Sequence, residues 1–265
     1  MKNATTIGLL VGLLSLIFGF LLEGGAISAL IQPTAAIIVF GATIGATVAS
    51  FSADELKTIP KLLRIIFTRH ATDGKQQIEQ IVLLADKARR EGLLYLENYF
   101  DEIKDPFLKK GIQLIVDGAE PELIKNILET EIYALENRHK LGAEIFDVAG
   151  GYAPTMGIIG KVMGLVHVLG NITTPEGLGP SIAVAFMATL YGVGSANVVY
   201  FPLAAKLRLL SKKEVLNREM TVDGILSLQS GYNPMLIRER LVSFLNPKER
   251  GQSDNVEELE ETEDE

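Results

Sequence analysis

Few side chains in this sequence are equipped for chemistry, and several of those stand inside apolar stretches. Residues 148–175 carry a single charge, Lys161, and residues 177–205 carry none. Within them the groups of interest are the Lys161 amine, the Thr189 hydroxyl, and the prolines Pro154 and Pro202. A proline inside a helix removes a backbone hydrogen bond and can bend it. A threonine there either bonds back to its own helix or offers its oxygen to a passing ion. Covalent chemistry has no visible basis. The chain has no cysteine, and its histidines, His70, His139 and His167, are too scattered for a metal cluster. It shows no Walker loop, no G-x-S-x-G and no HExxH. No enzyme activity, metal or cofactor is expected.

The same two stretches carry stripes of small residues. Ala153, Gly157, Gly160, Gly164 and His167 recur at steps of four and three, as do Ser181, Ala185, Ala188, Gly192 and Ser195. In lipid such stripes permit close approach of helix backbones. Proton or ion pathways normally need an intramembrane acid, and none of the uncharged runs holds Asp or Glu. If this chain conducts protons, the titrating carboxylate must come from a partner.

The elements that must position these groups are membrane spans. Residues 3–22 and 24–53 are also free of Asp, Glu, Lys and Arg, and about 20 apolar residues cross a bilayer core as a helix. Four spans are predicted, at about 4–22, 26–51, 146–170 and 179–206. The first is not read as a cleaved signal, because it lacks a convincing small-residue cleavage pattern and a second apolar run follows at once. Residues 54–147 carry 14 Lys and Arg and the chain from 206 carries nine, while the short connectors near Glu23 and at 170–180 carry none. Basic connections stay in the cytoplasm. Both termini and the long middle segment are therefore predicted inside.

The expected fold is all-α: a transmembrane hairpin over 1–52, a helical cytoplasmic domain over 53–145, a second hairpin over 146–208 and cytoplasmic helices over 209–250. In the middle segment Ile78, Ile81, Val82 and Ala85 repeat at helical spacing, as do Leu123, Ile127, Ile132 and Leu135. Gly92 and Gly118 punctuate these runs, and Asp105-Pro106 and Glu120-Pro121 suit helix starts. Lys212–Ser227 and Pro234–Leu245 are predicted as two further amphipathic helices. Residues 251–265 hold eight acids and no base, which accounts for the whole net charge of −8. This reads as a disordered acidic tail, and no nucleic-acid partner is expected.

Five segments in this order, RREGLLYLE (89–97), FLKKGIQLIVDG (107–118), GYAPTMGIIGKVMGLVHVLGN (151–171), AVAFMATLYGVGSANVVYFPLA (183–204) and GYNPMLIRERLVSFL (231–245), resemble the bacterial flagellar motor stator A subunits, the MotA family of the wider MotA/TolQ/ExbB group. The resemblance runs from about residue 7 to 250. It implies a homopentameric ring around the membrane helices of two partner B subunits, single-span peptidoglycan-binding proteins of MotB type. Ions pass between the ring and an aspartate of the partner, and the ring turns the rotor by touching its switch protein, FliG. By motif position the family's rotor-contact arginine and glutamate fall on Arg89 and Glu97, with Arg90 adjacent. Its functional prolines fall on Pro154 and Pro202, and its channel-facing threonine on Thr189.

Lys161 departs from that pattern, since it stands where sodium-driven members have threonine and many proton-driven members have alanine. A lysine there is costly unless it is paired, snorkels or loses its proton. It argues against a sodium site, so H⁺ is the expected ion. The alternatives are a sodium-driven stator and a TolQ/ExbB-like energiser of outer-membrane transport, against which the clustered charges of the middle segment weigh.

Overall fold

The computed structural model describes residues 4–68, 74–170, 175–247 and 250. His70 and the acidic tail over 251–265 lie outside the described residues, as does part of the connector at 170–180. Among the described residues every regular element is helical. Four helical stretches are long and apolar enough to cross a membrane: Ala4–Leu22, Ile27–Ser50, Pro121–Gly170 and Leu178–Gln229.

The chain divides into two compact units, one of residues 1–70 with 138–210, the other of 71–137 with 211–265. In the first unit, α1 (Ala4–Leu22) has no buried residue. The second span starts with a 3₁₀ turn (Ile27–Leu30), enters α2 (Pro33–Ala36) with proline at its first position, and reaches α3 (Ala42–Ser50) through a π-helical turn at Ile37–Gly41. Ser52 and Glu55 form a capping box at the start of α4 (Ala53–Leu56), and α5 (Ile59–Phe67) follows. Ser52 shields the first orphan N–H groups of α4, which fixes where the chain turns after the span.

The second unit is built from α6 (Gly74–Glu91), a 3₁₀ helix at Leu93–Tyr99, α7 (Pro106–Val116), the first part of α8 (Pro121–Gly170), the later part of α10 (Phe201–Gln229) and α11 (Pro234–Val242). Gly92 has φ +92° and Gly118 φ +76°, so both expected breaks use a backbone conformation that glycine adopts freely. Asp105 caps α7 by accepting from the Phe107 N–H at 2.9 Å. One apolar core joins these elements: Ile78, Ile81 and Leu84 of α6, Leu108 and Ile112 of α7, Ile124 and Leu128 of α8, Met220 and Ile225 of α10, and Ile237 and Leu241 of α11. Burying each such side chain stabilises the unit by about 1.5–3 kcal/mol.

Two expectations are corrected. Leu123 is 53% exposed and Ile127 half-buried, while Ile124, Leu128, Ile132 and Leu135 are buried. Adjacent apolar residues offered two stripes one residue apart, and the core takes the 124/128/132/135 stripe. Lys212–Ser227 is not a separate helix, because α10 runs unbroken from Phe201 to Gln229. The charges from Lys206 onward mark where apolar character ends, and a helix needs no break there.

Candidate functional site

The third and fourth spans meet along their small-residue stripes. A Cβ built on Gly157 would stand 2.9 Å from the Ala188 carbonyl oxygen, and one on Gly164 would stand 2.9 Å from the Ala185 Cβ. Gly160 likewise abuts Ala188, with Ile38 of the second span close by. Ala153, Ala185 and Ala188 are 0–1% exposed. The second span adds Ala35 and Val39 to a buried cluster with Met187 and Ala188. Tyr191 anchors this packing: its hydroxyl donates to the Leu30 carbonyl and accepts from the Gln32 N–H, and its ring stacks on Phe40 with centroids 5.8 Å apart.

This packing sets the depth of each expected pathway residue. Gly160 abuts Ala188 and Gly157 abuts the Thr189 Cα, so on these antiparallel helices Thr189 lies within about one helical turn of Lys161 in depth, ~3–6 Å. Lys161 is exposed on the isolated chain and Thr189 half-buried. The Thr189 hydroxyl donates to the Ala185 carbonyl at 3.4 Å, a long back-bond that leaves its lone pairs free. Pro154 is half-buried, seven residues from Lys161 and so ~10 Å from it along the helix.

The two prolines do not share a depth, although both stand near the cytoplasmic ends of antiparallel spans. Gly150 packs on Phe201, and Leu203 shares a buried cluster with Phe146, so Pro202 lies level with residues near 146. That is eight residues before Pro154, about 12 Å along the helix. The two breaks are staggered because the stripe contacts, not the span ends, fix the register. Their local effects also differ. The α8 helix continues through Pro154, whereas Pro202 follows a π-helical turn at Ala196–Tyr200 in which Phe201 N–H reaches back to the Ala196 carbonyl. Pro202 has no N–H for the Val198 carbonyl, and its ring crowds that carbonyl. The widened turn relieves both. Sequence reasoning missed the π turns at Ile37–Gly41 and Ala196–Tyr200, within the second and fourth spans.

Polar contacts close the ends of the spans. Arg208 pairs with Asp147, and Ser50 Oγ lies 3.1 Å from the Tyr152 hydroxyl. Inside, Thr43 is 1% exposed and its hydroxyl has no hydrogen-bond partner among the described residues. Nothing in the composition of ATIGATVAS distinguishes Thr43 from Thr47, which donates to the Thr43 carbonyl at 2.8 Å.

The rotor-face candidates sit in the second unit. Arg89 and Arg90 end α6 and Glu97 lies on the 3₁₀ helix after Gly92; all three are exposed. Arg90 is held by Asp86 at 3.0 Å, whereas Arg89 and Glu97 have no side-chain partner among the described residues. The surroundings are an aromatic and charged surface. Lys87 lies over the Tyr99 ring at 5.8 Å and holds its proton more tightly than usual, chiefly through the Tyr99 hydroxyl; Tyr95 is likewise raised, by its hydrogen bond to Glu91.

The geometry thus defines a four-span helical membrane protein, with a close-packed pair of small-residue helices and a helical domain bearing unpaired charges. Comparisons with known proteins agree. The model of the motility protein A N-terminal region matches residues 6–92, and that of the MotA/TolQ/ExbB proton channel family matches residues 100–220. Motility protein A of Bacillus subtilis is 39% identical, over 98% of this chain and 99% of its own. The flagellar MotAB stator complex from Bacillus subtilis contains a chain similar at TM-score 0.87 and 39% identity, with 94% of this chain and 98% of that one covered. The C. jejuni MotAB structure matches at TM-score 0.88 and 30% identity, over 93% and 97% of the two chains. The chain belongs to the MotA/TolQ/ExbB proton channel family.

Proposed function

We propose that this chain is the A subunit of a flagellar motor stator, a multi-pass protein of the cytoplasmic membrane with both termini inside. It forms a proton channel that powers rotor rotation. The observation that carries the mechanism is the absence of any carboxylate from the apolar runs, beside a small-residue helix pair that carries Lys161 and Thr189 within about one turn of each other in depth. Such a chain cannot relay protons alone. A partner of MotB type, named in the complexes of its structural relatives, supplies the acid. Five copies of the chain surround two copies of that partner. Proton passage moves the ring, and Arg89 and Glu97 transmit the motion to FliG.

Native mass spectrometry of the chain co-expressed with its neighbouring single-span gene product tests this. A mass of five A and two B subunits is expected, together with proton influx in vesicles that is lost when the partner's membrane aspartate becomes asparagine. A complex of other stoichiometry refutes the ring, and influx unaffected by that change refutes the partner-supplied acid.

A further inference from the structure

The short helix after the second span does more than connect. One face of α5 is buried: Ile66 is 4% exposed, and Ile59, Leu62, Leu63 and Ile65 pack against the cluster of Ala143, Phe146, Leu203, Ala204 and Leu207. Leu9 of the first span touches the same cluster. Leu9 lies five residues into α1, ~7 Å from its start. A helix seated at that level on three spans runs at the boundary between headgroups and acyl chains.

The other face is cationic. Lys61 and Arg64 are three residues apart on α5 and lie within about 60° on one side, and Lys57 stands just before the helix, at the C-cap of α4. All three are exposed, and exposed Phe67 continues the stripe three residues beyond Arg64. Asp54 takes Lys57 at 2.8 Å, and Glu55 is engaged by the Ser52 N–H at 2.7 Å. Lys61 and Arg64 have no acidic partner among the described residues. Two uncompensated cations beside an aromatic ring, at headgroup level, match a phosphodiester above an acyl chain.

We propose that the Lys61–Arg64 face of α5, with Lys57 just before it, is a binding surface for anionic phospholipid of the cytoplasmic leaflet, with Lys61 and Arg64 on the phosphate and Phe67 against the glycerol and upper acyl region. The surface holds α5, and through its buried face the inner ends of the first, third and fourth spans, at a fixed depth. It is independent of the ion that the channel carries.

The test titrates the purified complex of full-length chain and partner subunit with dioleoyl phosphatidylglycerol or dioleoyl phosphatidylcholine and counts retained lipid by native mass spectrometry. Each juxtamembrane cation is worth about fivefold in affinity for an anionic surface, so Lys61→Gln with Arg64→Gln is expected to weaken phosphatidylglycerol retention about thirtyfold. Phosphatidylcholine retention should not change. The charge-keeping pair Lys61→Arg with Arg64→Lys, and Lys104→Gln in the other unit, should retain phosphatidylglycerol as the parent does. Equal retention of the two lipids by the parent complex, or unchanged phosphatidylglycerol retention in the double glutamine variant, overturns the proposal. Displacement of lipid by excess inorganic phosphate also overturns it, since the site would then take a free anion. So does a double variant that loses subunits rather than lipid, which would place the stripe at a contact between copies.

Discussion

Gly157 and Ala188 face each other across the third and fourth spans with no room for one more carbon: a Cβ on Gly157 would stand 2.9 Å from the Ala188 carbonyl oxygen and 3.3 Å from the Thr189 Cα. Both obstacles are backbone, so neither can turn aside. Gly157→Ala must push the helices apart, and overpacking of this kind costs about 1–3 kcal/mol. Gly45, with nothing within 4 Å of its Cβ, supplies the contrast. The expected result is a lowered Tm and lost motility for Gly157→Ala, with Gly45→Ala close to the parent in Tm. Equal Tm for both would show that the contact is looser than the geometry requires.

The unpartnered Thr43 hydroxyl makes an opposite prediction. Thr43 follows the π turn at Ile37–Gly41, where the carbonyl one turn back, that of Val39, already accepts from the Ala42 N–H. Threonine normally satisfies itself on that carbonyl. An orphaned buried polar group costs about 1–3 kcal/mol, so Thr43→Val, which keeps the shape and deletes the hydroxyl, should raise stability in detergent by roughly 1 kcal/mol. A fall in Tm would reveal a partner for this hydroxyl in the assembled complex.

How far the sequence could be read follows from what each feature rests on. Spans were legible because desolvating a charge in lipid is so costly that their absence is a signal by itself. Gly92 and Asp105-Pro106 were legible because single residues dictate φ or remove an N–H. The π turns were not, since one extra residue per turn changes no composition and only slightly disturbs periodicity. The offset of Pro154 from Pro202 was hidden for a related reason: depth depends on which stripe residues meet, and stripes with several equivalent small residues slide without penalty until Ile38 and Tyr191 fix the second span against them. Thr189 and Lys161 were identifiable as residues, but their relative depth is a property of that register.

Local electrostatics distinguishes the two neighbouring arginines as candidates for the rotor contact. Arg90 is occupied by Asp86, whereas Arg89 stands free among the described residues. An exposed pair contributes at most ~1 kcal/mol to stability, so neither change should unfold the domain. Arg89→Glu and Glu97→Lys are each expected to reduce swimming severely at normal membrane levels of the protein, and Arg90→Glu to reduce it less. A complementary charge reversal on the rotor should restore part of the loss. Swimming unchanged in both the Arg89 and Glu97 variants would remove these residues from the rotor contact.

The coupling ion gives the riskiest prediction. Lys161 and Thr189 lie within about one helical turn in depth, and Lys161 is exposed on the isolated chain, on the part of the third span not covered by the fourth. A protonated amine there would repel Na⁺, and a dehydrated hard cation needs several oxygens, of which the Thr189 hydroxyl is one. Proton coupling is the expected outcome for the parent protein. Lys161→Thr removes any repulsion and adds a second hydroxyl within about a turn of the first, so it is the single change expected to bring in sodium dependence. The measurement is motor speed against external sodium at constant proton-motive force. The parent should give a flat line, and the Lys161→Thr variant a speed that rises and saturates. A parent speed that saturates with sodium would make the coupling ion Na⁺ and turn Lys161 away from the pathway, toward the lipid headgroups it would then have to reach by snorkelling.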